Sequence, residues 1–381
     1  MAGNSLRPPA RGVTALLLAA LLVAAGCASL ASAAPARLAA LEPELGQLLL
    51  VGFPGTEGEG NADLERLLCQ ARVGGVLVFG HNVVDAEQLR RLTGWMRERS
   101  MACTGRPLLV AVDAEGGAVM RLSPRAGFPE TLSHRDLGEA NDFTVTELEA
   151  RRIGAMLRAG GVNWNLAPVV DVGYNPANPV IVRAGRSFGA NPRLVAAHAW
   201  AFVRGMRAEG VLTVLKHFPG HGSSFDDSHL GFVDVTETAN RDVELLPYRA
   251  LMGEGVVDSV MTAHVFNRWL DQRYPATLSR RTIAGLLRKR LGWDGLVLSD
   301  DLRMGAIEQH YGIDAAPVLA LKAGVDMLLI ANDRLPDGRS ASSVALASIK
   351  QSLSRKRLAL DRVASALKRV QTLKARLPAG A

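Results

Sequence analysis

The residues best suited to chemistry are concentrated in one segment, KHFPGHGSSFDDSH, which runs from Lys216 to His229. It contains three of the eight histidines of the chain. His217 and His221 have the four-residue spacing of a zinc-binding helix, but a Pro-Gly pair lies between them. Proline inside a helix costs about 3 kcal/mol, so the two imidazoles cannot share a helical face. We therefore disfavour a metal site.

Asp227 and His229 form a candidate acid/base pair at the end of this segment. The two residues are two positions apart, so in an extended backbone their side chains project to the same side. A carboxylate beside an imidazole selects its tautomer and supports its protonated form, which makes the histidine a usable general acid and base. The same spacing is also common among solvated loop residues.

A candidate nucleophile follows the apolar run Gly295–Ser299. Asp300 comes directly after this run, where a carboxylate can face a bound substrate. Asp301 points in a different direction, and we expect it to cap the next helix instead.

These residues follow a repeating series of apolar runs, which must position them. The runs are almost continuously hydrophobic, which is typical of parallel strands buried on both faces. They are Leu48–Phe53, Gly75–Phe79, Leu108–Val112, Val162–Val172, Leu212–Lys216, Ser259–His264, Gly295–Ser299 and Met327–Ala331.

Helix-like patterns separate the apolar runs. They cover Ala86–Arg99, Val145–Arg158, Pro192–Ala208, Arg280–Arg290 and Ala315–Lys322, and the stretch Ser340–Leu377 is helical and basic. Asp85 and Asn191 have the positions of N-caps, and Gly160, Gly210 and Gly324 those of C-caps. Eight strands alternating with helices predict a single TIM-like (β/α)8 barrel, with a doubly wound open sheet as the alternative.

Most of the candidate residues share one position relative to the predicted strands. Asp113, the Lys216-His217 pair, His264 and Asp300 fall just after the third, fifth, sixth and seventh runs. The carboxyl ends of the strands meet at one mouth of a (β/α) barrel, where active sites lie. The shared position predicts an enzyme.

The first residues predict an export signal, not part of the fold. Arg7 and Arg11 precede an apolar run, Val13–Ala25, that is too short to span a membrane. Ala24-Ala25-Gly26-Cys27 resembles a lipoprotein processing site, and cleavage near residues 32–34 is the alternative. We expect a signal peptide over 1–26, a linker over 27–43 and a catalytic domain over 44–381. The protein would then be periplasmic or membrane-anchored, and its only membrane contact a lipid on Cys27.

The charge of the chain bears on its binding partners, and its cysteines bear on a possible disulfide. The net charge of +7 falls to about +5 without the leader, and no block of five or more cations stands out. Nucleic-acid binding needs clustered cations, so we expect none. Cys69 and Cys103 can pair in an oxidising compartment, but the sequence does not show whether they meet.

A family resemblance rests on these motifs together. The Lys216–Gly222 segment, the Asp227-Ser-His229 triplet and Ser299-Asp-Asp-Leu302 resemble the bacterial β-N-acetylglucosaminidases of glycoside hydrolase family 3. Further matches are Asp113-Ala-Glu-Gly-Gly117 with Arg121, the Asn165–Asp171 stretch and Gly185-Arg-Ser-Phe188. The likeness covers about residues 44–335, with the motifs in family order.

The resemblance implies a role for each matching residue. Asp300 would be the nucleophile that forms a covalent glycosyl-enzyme, and His229, oriented by Asp227, the acid/base. The residues that would hold the terminal N-acetylglucosamine are Asp113, Arg121, Arg186, Lys216 and His217. No cofactor or metal is implied, and we expect a monomer. Ala118 and Ala114 depart from the family pattern, which affects only local contacts.

The resemblance predicts a retaining exo-β-N-acetylglucosaminidase acting on peptidoglycan fragments or chitooligosaccharides. Three alternatives stay open. A phosphorylase would use phosphate instead of water, since a histidine base does not repel an anion. A non-catalytic lipoprotein that binds the cell wall would bind without turnover, and a metallohydrolase would lose activity with a chelator.

Overall fold

Eight buried strands run parallel in the computed structural model, which describes residues 36–378 together with residues 1 and 3. They are β1 (Leu49–Gly52), β2 (Gly75–Val78), β3 (Leu109–Val112), β4 (Trp164–Asn165), β5 (Leu212–Phe218), β6 (Ser259–Thr262), β7 (Leu296–Leu298) and β8 (Leu328–Ile330). Each strand from β1 to β6 pairs with the one that follows it in sequence, and β8 pairs with β1. A bridge between Leu298 and Met327 joins β7 to β8. The sheet closes, so the predicted TIM-like barrel is confirmed and the open sheet is wrong.

The barrel interior is filled by apolar side chains from alternate strand positions. One buried cluster contains residues from all eight strands, among them Leu50, Leu77, Trp164, Met261 and Leu329. Their neighbours in sequence point outward and are equally buried, because the surrounding helices cover the outer face. Burial on both faces explains why the strands read as continuous hydrophobic runs in the sequence.

Helices follow the strands around the barrel. They are α1 (Ala62–Glu65), α2 (Ala86–Thr104), α3 (His134–Ala140), α4 (Phe143–Ala159), α5 (Pro192–Ala208), α6 (Arg241–Glu244), α7 (Leu246–Gly253), α8 (Arg281–Arg290), α9 (Gly305–Ala323), α10 (Ala341–Ser354) and α11 (Leu360–Lys374). The side chains of Asp85 and Asn191 accept hydrogen bonds from Gln88 N and Arg193 N, so both predicted N-caps are confirmed.

Several predicted helix ends are wrong. The helix predicted over 86–99 continues to Thr104, and the one predicted over 315–322 lies in the second part of α9, after Gly312, whose backbone is not helical (φ 66°, ψ 164°). The basic stretch 340–377 forms two closing helices, α10 and α11, as expected. Gly160 ends α4 with a negative φ, and the following Gly161 takes the left-handed conformation instead (φ 72°). Of two adjacent glycines, either can supply this turn, so the sequence does not distinguish them.

Helix α11 closes the barrel at the amino-terminal ends of the strands. Its Val370 and Leu373 join the interior cluster of the barrel, next to Leu212 and Leu296. Helix α11 does not cover the opposite end of the barrel, where the strands finish.

The chain divides into two units, Met1–Pro43 and Glu44–Ala381, and the barrel belongs to the second. The leader residues Arg7, Arg11, Val13–Ala25 and Cys27 lie outside the described residues. Among the described residues, no helix has the length and apolar character needed to cross a membrane.

A disulfide joins Cys69 to Cys103. It links the turn Arg66–Gln70, which follows α1, to the last residues of α2. The structure thereby resolves the pairing that the sequence leaves open.

We predict that replacing both cysteines by alanine lowers the free energy of unfolding. The bond spans 34 residues, and closing a loop of that length typically stabilises a protein by about 2–4 kcal/mol. Urea denaturation followed by circular dichroism measures the difference. A reductant should bring the wild type to the level of the variant and leave the variant unchanged; equal stability of the two oxidised proteins would contradict the prediction.

Candidate active site

The candidate residues converge on one pocket of about 340 Å³ at the carboxyl ends of the strands. Seven of the eight predicted site residues line it: Asp113, Arg121, Arg186, Lys216, His217, His229 and Asp300. The eighth, Asp227, does not line the pocket but contacts His229. The side chains come from β5 and from the loops after β3, β4, β5 and β7, so the carboxyl ends of the strands bring together residues up to about 190 positions apart.

A network of buried charges forms one side of the pocket. Arg186 binds both carboxylate oxygens of Glu115, with Nε and Nη2 each 2.8 Å from an oxygen. Lys216 Nζ lies 2.7 Å from Glu115 Oε1 and 2.8 Å from Asp113 Oδ1. Glu115 is 1% exposed and Lys216 2% exposed. The charges are therefore satisfied almost entirely by each other.

The network keeps these groups charged in spite of their burial. Burial by itself would raise the pKa of Glu115, but the charges of Arg186 and Lys216 outweigh it and hold that pKa well below its usual value. Burial would likewise lower the pKa of Lys216, but Asp113 and Glu115 raise it above the usual value. The pocket thus presents fixed cations and a carboxylate, which suit the hydroxyl groups of a sugar.

Asp171 organises the loop after β5. Its carboxylate accepts hydrogen bonds from His217 Nδ1 at 2.6 Å and from the backbone N–H of His221 at 2.8 Å. A side chain at Gly222 would lie 1.9 Å from the carbonyl oxygen of Val172, so only glycine lets this loop pack against the segment that carries Asp171. His217 is held in one orientation, with Nε2 3.3 Å from Arg186 Nη2.

Sequence reasoning did not assign Glu115 and Asp171 a role. Both lie inside motifs that carry the resemblance. A signal is present, since Glu115 follows β3 by three residues and Asp171 is the last residue but one of the fourth apolar run. Acids near the ends of the apolar runs therefore include these two as well.

Asp300 lies at the end of β7 and lines the pocket as predicted. Its Oδ1 accepts a hydrogen bond from the backbone N–H of Asp301 at 2.8 Å. Burial would raise the pKa of Asp300, but the imidazoles of His264 and His217 and this N–H lower it below the usual value. The group is therefore an anion at neutral pH, as a nucleophile must be.

Asp301 does not cap helix α9, so that expectation is wrong. Its Oδ1 accepts from the backbone N–H groups of Arg303 (3.0 Å) and Ala331 (2.9 Å), and α9 begins only at Gly305. It ties the loop after β7 to the end of β8. Burial raises the pKa of Asp301 to about 6, in contrast to Asp300.

His264 contacts this loop but does not line the pocket. Its Nε2 lies 2.8 Å from the carbonyl oxygen of Asp301, which can only accept, so that nitrogen carries a proton. Its Nδ1 contacts the hydroxyl of Thr277 at 2.8 Å. The side chain is buried, and burial lowers its pKa.

His229 reaches the pocket from a flap, residues 224–231, that follows β5. Its side chain is 61% exposed, and its Nδ1 lies 2.7 Å from Asp227 Oδ1, which also accepts from the His229 backbone N–H. The flap rests on the start of α9, because Gly305 N donates to His229 O and Ala306 N to Ser228 O.

His221 joins the flap to the loop after β5. Its Nε2 contacts the hydroxyl of Ser228 at 3.1 Å, and its Nδ1 contacts Ser224 at 2.8 Å. Burial lowers the pKa of His221 to about 4, so the ring is neutral at physiological pH. His217 and His221 have ring centroids 6.1 Å apart, and among the described residues no group of three or more His, Cys, Asp or Glu could hold a metal ion.

A larger hollow of about 880 Å³ adjoins the pocket. Phe79 and Ala331 line both cavities, and the hollow continues over the ends of β1 and β8. The rings of Phe79 and His81 stack there at 5.7 Å. The pocket therefore borders a second space over the ends of these two strands.

Comparison with known proteins identifies the family. The profile of the "Glycosyl hydrolase family 3 N terminal domain" matches residues 40–373. The chain belongs to glycoside hydrolase family 3. The structure of a family 3 β-N-acetylglucosaminidase from Paenibacillus sp. FPU-7 superposes with a TM-score of 0.82 at 36% identity, over 88% of this chain and 62% of that one.

Two further relatives match over nearly their whole length. The structure of a β-N-acetylhexosaminidase from Beutenbergia cavernae has a TM-score of 0.80 at 32% identity and covers 88% of this chain and 98% of that one. A protein of Arthroderma benhamiae named an uncharacterized secreted glycosyl hydrolase is 32% identical, over 92% of this chain and 97% of its own. The predicted resemblance is confirmed, and the protein is a glycoside hydrolase.

We predict that Glu115→Gln destabilises the protein by about 3–5 kcal/mol, because it leaves Arg186 and Lys216 buried without their partner. Urea denaturation measures the loss. The matched control is Glu87→Gln, which removes the exposed Glu87–Arg91 pair of α2 and should cost less than about 1 kcal/mol. If the two substitutions cost the same, the buried network does not hold the pocket together.

Proposed function

We propose that this family 3 hydrolase is a retaining exo-β-N-acetylglucosaminidase that uses Asp300 as nucleophile and His229 as acid/base. The observation that carries the proposal is that both side chains line one pocket, opposite the charged group of Asp113, Arg186 and Lys216. The pocket volume of about 340 Å³ fits one terminal sugar residue. The chain is a β-N-acetylhexosaminidase, in keeping with the activity named for its structural neighbours.

In the first step Asp300 attacks the anomeric carbon while His229 protonates the leaving oxygen. The lowered pKa of Asp300 keeps it ionised for attack. Asp227 orients the imidazole by accepting from its Nδ1, which leaves Nε2 to carry the proton toward the substrate. The C1–O bond to the leaving group breaks as the bond from C1 to the carboxylate forms.

In the second step neutral His229 takes a proton from water, and the water oxygen attacks C1 of the glycosyl-enzyme. Asp300 leaves as a carboxylate, and the sugar is released with its original anomeric configuration. A histidine on an exposed flap suits both steps, since the leaving group can depart past it and water can then take the place of the leaving group.

The far side of the pocket holds the sugar in place. Lys216 and Arg186 can donate to sugar hydroxyls while Asp113 and His217 accept, and all four keep their orientation through Glu115 and Asp171. Arg121 lies 3.9 Å from Asp113 at the same side. Hydroxyl groups of the terminal residue therefore meet donors and acceptors that do not need to reorganise during the reaction.

The adjoining hollow offers space for the rest of the substrate. It shares Phe79 and Ala331 with the pocket, and its volume of about 880 Å³ accommodates at least one further sugar. With the leader that the sequence predicts, we propose export and a substrate met outside the cytoplasmic membrane, either a peptidoglycan fragment or a chitooligosaccharide.

We predict that Asp300→Ala abolishes turnover of every β-N-acetylglucosaminide, because no carboxylate remains to attack C1. Product release from a chromogenic aryl glycoside measures the loss. Asp301→Asn is the matched control. Asp301 also lines the pocket, but its Oδ1 accepts from two backbone N–H groups, which the amide oxygen of Asn can also do, so this variant should retain far more activity. Full activity of Asp300→Ala would remove Asp300 from the nucleophile role.

We predict that His229→Ala loses far more activity on a disaccharide than on an aryl glycoside with a good leaving group, which needs little protonation. The second step still lacks its base, so the aryl substrate should give a burst of phenol equal to the enzyme, followed by slow turnover. Added azide, a nucleophile that needs no base, should speed the slow phase. Equal losses on both substrates would exclude the acid role of His229.

Product analysis separates hydrolase from phosphorylase. The proposal predicts free N-acetylglucosamine as the product whether or not phosphate is present. Formation of the sugar 1-phosphate in phosphate buffer would replace water by phosphate in the second step and leave the roles of Asp300 and His229 unchanged.

A further inference from the structure

At the end of the barrel opposite the catalytic pocket, cationic side chains outnumber acidic ones. Two adjoining hollows, of about 950 and 350 Å³, lie where β6, β7 and β8 begin and α11 closes the barrel. They share Trp293, Asp294, Ser365 and Arg369. We name the surface formed by both hollows the basal face.

Half of the cations of the basal face serve the fold. Asp326 is completely buried and lies 2.5 Å from both Arg288 Nη2 and Arg362 Nη2, and Arg369 Nη1 approaches it at 3.4 Å. Arg376 pairs with the buried Asp258. These four arginines attach α8 and α11 to the base of the barrel, so their charges are already balanced in part.

The other cations have no such partner. Arg280, Lys322, Arg357 and Lys368 are exposed side chains that line the same hollows. Within residues 36–378, none of the four forms an ion pair. The hollows are lined by eight cationic side chains against three acidic ones, Asp258, Asp294 and Asp361. Fixed positive charge of this density attracts an extended anionic surface.

The chain enters the barrel at this same end. The turn Glu42–Leu48 leads directly into β1, and Gln47 Oε1 accepts a hydrogen bond from Lys374 of α11 at 2.7 Å. The first strand of the barrel therefore begins at the basal end, whereas the catalytic pocket opens at the opposite end. Cys27, where the sequence predicts a lipid, precedes Glu44 by about 17 residues.

We propose that the basal face binds the surface of an anionic lipid bilayer and turns the catalytic pocket away from it. A polybasic surface attracts an anionic bilayer, because each cation near the surface contributes about 1 kcal/mol of attraction. Trp293, half-buried between the two hollows, has the amphipathic side chain that favours the lipid headgroup region. The proposal is independent of the catalytic roles assigned above.

The test compares binding to two kinds of vesicle, phosphatidylcholine alone and phosphatidylcholine mixed with phosphatidylglycerol. The full chain carries Cys27→Ser, so that no lipid can be attached, and binding to the neutral vesicles measures the contribution of the leader. We expect stronger sedimentation with the anionic vesicles, and release of that extra fraction at high salt, which screens exposed charges.

Two triple variants assign the binding to the basal face. Lys322→Gln, Arg357→Gln and Lys368→Gln together should lower the partition onto anionic vesicles roughly a hundredfold, at about fivefold per charge. The matched control, Arg90→Gln, Arg193→Gln and Arg249→Gln, removes the same charge from exposed positions on α2, α5 and α7. It should change the partition by less than about threefold, since charges beyond a Debye length are screened. Both variants should keep wild-type activity on a chromogenic substrate.

Three results would overturn the proposal. They are equal binding of the wild type to neutral and anionic vesicles, equal losses in the two triple variants, and binding to a soluble anionic polysaccharide without binding to vesicles. The last result would assign the basal face to a polymer. The salt dependence of the wild type decides the question even if a variant does not fold.

Discussion

The catalytic end of this barrel depends on a buried carboxylate that has two cations as partners. Glu115 receives Arg186 through two parallel hydrogen bonds and Lys216 through a third contact, at a position with almost no access to water. Removing any one member leaves uncompensated charge in a region of low dielectric, which is costly. The three residues come from separate strands or loops, so this cost also fixes the relative positions of β3, β4 and β5. Sugar-binding groups built on that base cannot move far.

The opposite half of the pocket is organised by weaker, more numerous bonds. The loop after β7 is held by two hydrogen bonds that Asp301 accepts from backbone N–H groups and by one from the imidazole of His264 to the carbonyl oxygen of Asp301. The flap with His229 is held by main-chain contacts and by one neutral histidine, His221. Pairs of opposite charges thus surround the part that recognises substrate, and hydrogen bonds that mostly involve the main chain surround the part where bonds change. This division matches the need of the acid/base to exchange a leaving group for water.

Much of this could be predicted because strand ends and chemistry coincide. All eight apolar runs contain barrel strands, and the ends of the runs pointed to Asp113, Lys216 and Asp300, which line one pocket. The burial that makes strands hydrophobic on both faces is what makes a polar residue at their end conspicuous. His229 could be predicted only from its motif, since it lies on a loop with no periodic signal of its own.

What could not be predicted depends on contacts between distant segments. Glu115 and Asp171 look like ordinary acids until Arg186 and His217 are brought beside them. Asp301 has the sequence of a helix cap, but its acceptors are used by Arg303 and by Ala331 from another strand, and α9 starts later. Helix ends at adjacent glycines, and the disulfide, likewise depend on the distance between segments, which local pattern does not encode.

The seating of the flap on the first turn of α9 has a mechanical consequence. The backbone between Asp300 and Ala306 supports both sides of the scissile bond, since it carries the candidate nucleophile and also donates to the carbonyls of Ser228 and His229. The reach between the two reacting groups is therefore set by a single stretch of seven residues. Lengthening or shortening that stretch would change the distance between the two groups, whereas drift elsewhere in the barrel would leave the stretch itself unaltered.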